Sequence, residues 1–186
     1  MRPTILTYPW NLGRQNSTVV LAGSYNPPHL GHLAMLQYLS SRFKKVIVVV
    51  GFNPSKTYDV TPQERARLLK TMLADAEVKN IRVEVVQGLI WRYAIQNGAQ
   101  MLVRGIRSWD KDGKEEQHLH YQNTIYPLLL GPIWWPIPTL FLEGKPEYNH
   151  ISSTLVRDLC KGSKVKQLAD LVPGSITEDV MKLYSK

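Results

Sequence analysis

Short runs of apolar, β-branched residues alternate along this 186-residue chain with segments whose apolar residues recur at helical spacing. A continuous run such as KVIVVVG at residues 45–51 is typical of a strand buried on both faces of a parallel sheet. The pattern predicts strands at residues 18–22, 45–51, 81–86, 100–104 and 139–142. It predicts helices at 89–97, 109–126 and 153–161, and further helices that begin near Thr61 and Ser175.

Local signals agree with these helix boundaries. The four residues from Thr61 and the four from Ser175 both resemble capping boxes, and Gly98 and Gly162 follow predicted helix ends. Strands that alternate with helices predict an α/β fold, a Rossmann-like open parallel sheet of about five strands with flanking helices. The length fits one domain at residues 18–186, preceded by an N-terminal extension at residues 1–17.

The segment after the first predicted strand carries the strongest chemical signal. The apolar run ends at Gly23, a turn-rich stretch follows, and His29 and His32 stand at the start of a predicted helix. Unpaired backbone N–H groups and the helix dipole make such a strand–loop–helix junction an anion site. Histidines three residues apart share one face of the first turn, so both imidazoles can face that anion. The junction predicts phosphate chemistry.

Polar residues follow the other predicted strands, and in a parallel sheet these positions share the edge where ligands bind. Asn53 and Lys56 follow the second strand, Arg104 ends the fourth, and Arg107 comes just after it. The remaining positions are Leu89 and Ile90 after the third strand, and Ser152, Ser153, Thr154 and Arg157 after the fifth. Cations combined with two helix N-termini suit a substrate that carries several phosphates.

Composition narrows the class of protein. The net charge of +8 fits either a nucleic-acid partner or a small polyanionic substrate, and charge by itself favours neither. Basic residues on the predicted helices, among them Arg65 and Arg67, are interpreted as a solvated face. A single cysteine, Cys160, excludes an internal disulfide. With no secretory signal and no apolar run of about 18 residues, we expect a cytoplasmic protein.

Several enzyme classes lack their motifs. The sequence contains neither a Walker loop nor G-x-G-x-x-G, which argues against a P-loop kinase or an ordinary dehydrogenase. No serine or cysteine forms a nucleophile elbow. His29 and His32 lack the further ligands that zinc needs, so no protein metal ligands are predicted.

Four motifs resemble a known family. GSYNPPHLGH at residues 23–32, with its histidine-x-glycine-histidine core, and ISST at residues 151–154 resemble the two signatures of the nucleotidylyltransferase superfamily. RGIR at residues 104–107 and NPSK at residues 53–56 are similar to the phosphopantetheine adenylyltransferase branch. The resemblance implies transfer of AMP from ATP to 4′-phosphopantetheine, with magnesium, giving dephospho-coenzyme A and pyrophosphate. The implied partners are ATP, the acceptor and further copies of the chain, with no nucleic acid and no membrane.

The resemblance also implies roles for individual residues. His32, Lys56 and Arg107 would be catalytic. Acceptor contacts are implied for Ser24, Lys56, Leu89, Ile90, Arg104 and Asn123. ATP contacts are implied for Gly23, Ser24, Tyr25, His29, His32, Arg107, Glu116, Ile151, Ser152, Ser153 and Thr154.

The chain departs from the family pattern at residues 109–114 and in a long segment rich in proline and tryptophan at residues 126–144. The alternative function is adenylyl transfer to nicotinamide or nicotinate mononucleotide, because those enzymes share both outer motifs. It is disfavoured because RGIR stands where a serine–aspartate stretch and a stacking tryptophan are expected.

Overall fold

The computed structural model describes residues 4–51, 57–106 and 137–185. Within these residues the strands are β1 (Thr4–Leu6), β2 (Gln15–Gly23), β3 (Phe43–Gly51), β4 (Ile81–Val86), β5 (Met101–Ile106) and β6 (Thr139–Glu143). They form one six-stranded sheet in the order β1–β6–β5–β2–β3–β4. Every neighbouring pair is parallel, which confirms the predicted open α/β sheet.

Helices flank this sheet on both faces. The described helices are α1 (Leu30–Arg42), α2 (Pro62–Asp75), α3 (Ile90–Gln96), α4 (Ser153–Lys161), α5 (Val165–Ala169) and α6 (Gly174–Tyr184). A short 3₁₀ turn, Pro146–Tyr148, lies between β6 and α4. The helix predicted at residues 109–126 lies outside the described residues.

The β-branched run of β3 is buried because its two faces meet different helices. Val46, Val48 and Val50 pack in the larger core, which contains buried residues of α1, α2, α4, α5 and α6. Ile47 and Val49 face the other way and pack with Trp91 and other residues of α3. Alternate side chains of a strand point to opposite faces, so a strand covered on both sides must be apolar throughout.

Two helix starts test the capping predictions. Thr61 caps α2, and its Oγ1 accepts the backbone N–H of Glu64 at 3.3 Å, as the motif predicts. The capping box predicted at Ser175 is wrong, because α6 begins two residues before a helix capped by Ser175 would begin, with Pro173 at the N-cap position and no side-chain cap.

The residues before position 18 contribute to the domain's sheet. Thr4 pairs with Leu140, which places β1 beside β6, and β2 begins at Gln15. Trp10 Nε1–H then donates to the Glu143 carbonyl at 2.9 Å. The segment expected as an extension is therefore fastened to the edge of the sheet. Among the described residues, no helix has both the length and the apolar character that crossing a membrane requires.

Candidate active site

The loop between β2 and α1 begins at a glycine for a steric reason. Tyr25 adopts a positive φ of 47° and its side chain is buried. Its ring folds back over Gly23, where an added Cβ would lie 3.0 Å from two ring atoms. Gly23 therefore allows the Tyr25 ring to pack beneath the loop. There it lies 4.9 Å from the His32 ring, measured between centroids.

The rings of His29 and His32 are in contact at the start of α1, tilted by 34° to each other. Their ring centroids are 3.8 Å apart, and the His29 backbone N–H donates to His32 Nδ1 at 3.2 Å. Gly31 leaves room for the first ring, since a Cβ there would lie 3.2 Å from two His29 ring atoms. Burial lowers the pKa of His29 to about 4. Burial and the neighbouring His29 together hold the pKa of His32 well below its ordinary value.

The tautomer of His32 follows from this hydrogen bond. Because Nδ1 accepts a hydrogen bond from the His29 backbone N–H, the proton of the neutral His32 ring is on Nε2. His32 is therefore a neutral N–H donor near pH 7, at the first turn of a helix whose unpaired N–H groups also attract anions. This arrangement can hold a phosphate oxygen without requiring a change in the protonation of His32.

The carbonyl oxygens of the turn are bound by donors from other elements. Arg65 Nη1 on α2 donates to the Ser24 carbonyl, and Arg157 Nη1 on α4 donates to the Asn26 carbonyl at 2.5 Å. The hydroxyl of Ser153 donates to the Pro27 carbonyl at 2.8 Å. Occupied carbonyl lone pairs repel a bound anion less than free ones would. The turn is therefore held in an arrangement compatible with a phosphate beside it.

The start of α4 lies directly against this turn. Ser152 is its N-cap residue, and its Oγ accepts the Leu155 backbone N–H at 3.1 Å. Arg157 Nη2 also donates to the Thr154 hydroxyl at 3.0 Å, so the cation lies beside the first turn of the helix. A helix N-terminus reinforced by a guanidinium favours phosphate oxygens.

These elements enclose a cavity of about 710 Å³. It is lined by Ser24, Asn26, Thr57, Tyr58, Ser152, Ser153, Thr154 and Arg157. The side chains among them are hydroxyls, an amide and one cation, and none of these described lining residues is a carboxylate. The cavity lies beyond the carboxyl ends of β2 and β3, where an open parallel sheet binds its ligand.

The structure brings several of the predicted site residues together. Ser24, Ser152, Ser153 and Thr154 line the cavity itself. His29 and His32 lie on the adjoining loop and helix start. Arg104 lies on β5 beside the end of β2, and its Nη1 donates to the Ala22 carbonyl at 3.2 Å.

Other predicted residues lie apart from the cavity wall. Gly23, Tyr25 and Ile151 support the two loops, and Ile151 is buried with its N–H donated to the Tyr148 carbonyl. Leu89 and Ile90 are at the start of α3, beyond β4, and do not line the cavity. Lys56, Arg107, Glu116 and Asn123 lie outside the described residues, so their roles stay predictions.

Three lining residues received no role from the sequence. Arg157 is not one of them, because the sequence places it with Ser152, Ser153 and Thr154 at this edge, and it lines the cavity. Thr57 and Tyr58 come directly after the predicted Lys56 and could have been included with it. Asn26 lies inside the first motif, but its role as the acceptor of Arg157 and Tyr184 depends on distant residues that no local pattern reveals.

The fold and the site together define an α/β protein with a histidine-bearing loop and a second helix N-terminus at one sheet edge, an arrangement suited to phosphate groups. The chain belongs to the cytidylyltransferase-like family, whose model matches residues 20–159. This confirms the superfamily resemblance that the histidine and ISST motifs predict.

The relatives match nearly the whole chain. A phosphopantetheine adenylyltransferase from Rubrobacter xylanophilus is 33% identical over 168 residues, which cover 90% of this chain and 94% of the relative. One from Synechococcus sp. strain JA-3-3Ab is 34% identical over 163 residues, covering 87% and 94%. Among solved structures, a Plasmodium falciparum nicotinic acid mononucleotide adenylyltransferase complexed with NaAD has a TM-score of 0.64 at 11% identity. That match covers 91% of this chain and 96% of the other, and it shows a shared fold.

Proposed function

We propose that this protein transfers AMP from ATP to 4′-phosphopantetheine, forming dephospho-coenzyme A and releasing pyrophosphate. The observation that carries the proposal is the match to phosphopantetheine adenylyltransferases at 30–34% identity over most of both chains. The cavity supports it, because its hydroxyls, its cation and its helix N-terminus are suited to an ATP polyphosphate.

The reaction is a displacement at the α-phosphorus of ATP. A phosphate oxygen of the acceptor forms the new P–O bond, the bond from the α-phosphorus to the bridging oxygen breaks, and its electron pair leaves with pyrophosphate. The acceptor phosphate is already ionised, so no protein base is needed to create the nucleophile. Positioning and stabilisation of the developing charge are therefore the expected sources of rate.

His32 is the proposed donor to the α-phosphate. Its Nδ1 is occupied by the His29 N–H, which leaves the Nε2–H for a phosphate oxygen. Because both histidines remain neutral near pH 7, the donor is present throughout the neutral range. Arg157 and the start of α4 are proposed to hold the departing pyrophosphate. Lys56, Arg104 and Arg107 would complete the site as the family resemblance implies.

Magnesium is proposed to enter with ATP as part of the substrate. Mg²⁺ prefers oxygen ligands and usually retains several waters when it is bound through phosphates. The described cavity lining offers hydroxyl and amide oxygens but no carboxylate, and the described residues contain no cluster of three or more histidine, cysteine or acidic residues. That donor set fits an ion held mainly by the nucleotide.

We test the acceptor with a pyrophosphate-release assay containing ATP and magnesium. The acceptors compared are 4′-phosphopantetheine, nicotinamide mononucleotide and nicotinate mononucleotide, and mass spectrometry identifies each product. Turnover with phosphopantetheine is expected, with a product heavier than the acceptor by one AMP unit. Turnover with a mononucleotide only would transfer the function to the alternative, whose fold this chain shares.

A homo-oligomer, which the family resemblance implies, and a cytoplasmic location remain part of the proposal. Light scattering coupled to size-exclusion chromatography measures the oligomeric mass directly, and a monomer at all concentrations would contradict the first. Filter binding with RNA over a salt titration examines the expectation of no nucleic-acid partner.

A further inference from the structure

Arg65 is the most unusual side chain near the site. It lies on α2, its exposed fraction is 0%, and the expectation that it forms part of a solvated helix face is wrong. Its Nη1 donates to the Ser24 carbonyl, and its guanidinium carbon lies 4.3 Å from the centroid of the Tyr58 ring. Its Nε and Nη2 have no hydrogen-bond partner among the described residues.

A buried guanidinium without a carboxylate is costly to the folded protein. Arginine remains ionised in proteins, so burial leaves a positive charge whose lost hydration must be compensated. No carboxylate in the described ranges forms an ion pair with Arg65. The described groups that interact with its charge are the hydroxyl-bearing rings of Tyr58 and Tyr184. Among the described residues, compensation of this charge is therefore incomplete.

Arg65 joins two parts of the cavity wall from behind. Ser24 belongs to the loop after β2, Tyr58 belongs to the connection between β3 and α2, and both line the cavity. The guanidinium binds the carbonyl of Ser24 and stacks on the ring of Tyr58, so one rigid planar group sets the distance between these walls. Arg65 itself is fully buried and is not among the described residues that line the cavity.

We infer that Arg65 is a positioning residue of the polyphosphate site, holding Ser24 and Tyr58 in place, with a buried charge that a bound polyphosphate balances. The ligand class is the triphosphate of ATP or its pyrophosphate product. The inference rests on the proposed function for the identity of the nucleotide. Arg65 acts through Ser24 and Tyr58, which line the cavity, and not by touching the ligand itself.

Two substitutions separate the charge of Arg65 from its shape. Arg65→Gln removes the charge and keeps an N–H donor for the Ser24 carbonyl. Arg65→Lys keeps the charge and loses the planar group that stacks on Tyr58. Arg67→Gln is the matched control, because Arg67 lies on the same helix, is exposed and pairs with Glu64 and Asp179.

The primary measurement is the affinity for inorganic pyrophosphate, with magnesium, by isothermal titration calorimetry. Arg65→Gln is expected to raise Kd roughly tenfold or more, Arg65→Lys by a smaller factor, and Arg67→Gln not measurably. In steady-state assays the KM for ATP is expected to rise in the same order. A structural role only would lower the thermal midpoint and leave Kd and KM of the folded variants unchanged, which would overturn the inference.

The experiment remains decisive if one variant is unstable. Should Arg65→Gln not fold, Arg65→Lys is read by itself, and wild-type affinity for pyrophosphate in that variant would overturn the inference. The pyrophosphate titration needs no acceptor, so it is independent of the acceptor assay. If the wild-type protein binds pyrophosphate but transfers no AMP to phosphopantetheine, the proposed function is wrong. The role of Arg65 is then still decided by the pyrophosphate affinities of the Arg65 variants.

Discussion

His32 is the residue whose geometry most directly specifies a chemical role. Its Nε2–H donor is created by the bond from the His29 N–H to Nδ1. A donor that strengthens its hydrogen bond as charge develops contributes mainly to turnover, so His32→Ala is expected to lower kcat by about 10²–10³ with little change in KM for ATP. Pyrophosphate-release kinetics measure both quantities.

The conservative variant His32→Gln serves as the comparison, because its side-chain amide can donate a hydrogen bond from a similar position. We expect it to recover part of the turnover that His32→Ala loses. Near-normal turnover in His32→Ala would remove this side chain from the mechanism.

His29 links the same pair to stability. Folding lowers the pKa of His29 from an ordinary 6.5 to about 4, so the unfolded chain binds more protons between those values. The free energy of unfolding therefore falls as pH falls from about 6.5 toward 4, by up to about 3 kcal/mol from this group. Urea unfolding over a pH series measures the slope.

Asparagine at position 29 does not titrate and is a favourable N-cap residue. His29→Asn is therefore expected to reduce the dependence of unfolding free energy on pH between about 4 and 6.5. Equal slopes in the wild type and His29→Asn would contradict the buried, neutral state of this ring.

At the scale of elements, the last helix, α6, is hydrogen-bonded to the loop between β2 and α1. Tyr184 is the final residue of α6, and its hydroxyl donates to Asn26 Oδ1 at 2.8 Å in a buried contact. Tyr184→Phe leaves that oxygen buried without its partner, so we expect a loss of about 1–3 kcal/mol in unfolding free energy. Urea denaturation measures the loss, and the matched control is Tyr8→Phe, because Tyr8 is 47% exposed. Equal losses in both variants would show that the Asn26 contact does not stabilise the fold.

The elements differ in how much of them the sequence could predict. The run at residues 45–51 is short, rich in valine and apolar on both faces after Lys45, which favours a strand covered on both sides. The strand Thr4–Leu6 has three residues, too few for any periodicity to emerge, and it forms because the edge of β6 offers unpaired backbone groups. The predicted start of α6 is wrong because the four residues from Ser175 have the sequence of a capping box, but the helix begins at Gly174 and has no side-chain cap.

The site divides in the same way. The histidines and the hydroxyls at residues 152–154 follow strand ends directly, so topology brings them to one edge. Arg65 could not be predicted, because on a helix with Glu64 and Arg67 nearby it has the pattern of a solvent-facing charge. Its burial arises from the loop carbonyl and the tyrosine ring that pack over it, and these contacts join segments far apart in sequence.

At the scale of the whole molecule, positive charge is present at both ends of the strands, the amino ends and the carboxyl ends. A second cavity, of about 480 Å³, lies at the amino ends of β2, β3 and β4, and its lining includes four cations: Lys44, Lys45, Lys79 and Arg82. The candidate site lies at the carboxyl ends, and the six residue steps from Lys45 to Gly51 along β3 span about 20 Å. The charges at the two edges are therefore separated by more than the screening length of about 8 Å at physiological salt.

This separation predicts how ATP binding depends on ionic strength. The KM for ATP is expected to rise with added salt, because screening weakens the attraction of Arg157 and the whole positive protein for a polyanion. The double variant Lys44→Gln/Lys45→Gln lowers the formal net charge from +8 to +6 and changes no residue that lines the cavity of the candidate active site. It is expected to raise KM only at low ionic strength, where the screening length of about 30 Å exceeds the distance between the edges. Steady-state kinetics over a sodium chloride series measure this. If the KM of the wild type does not change with salt, neither nearby nor distant charge contributes to ATP binding. If the KM of the double variant is raised equally at all salt concentrations, Lys44 and Lys45 affect the site through structure rather than through their electric field.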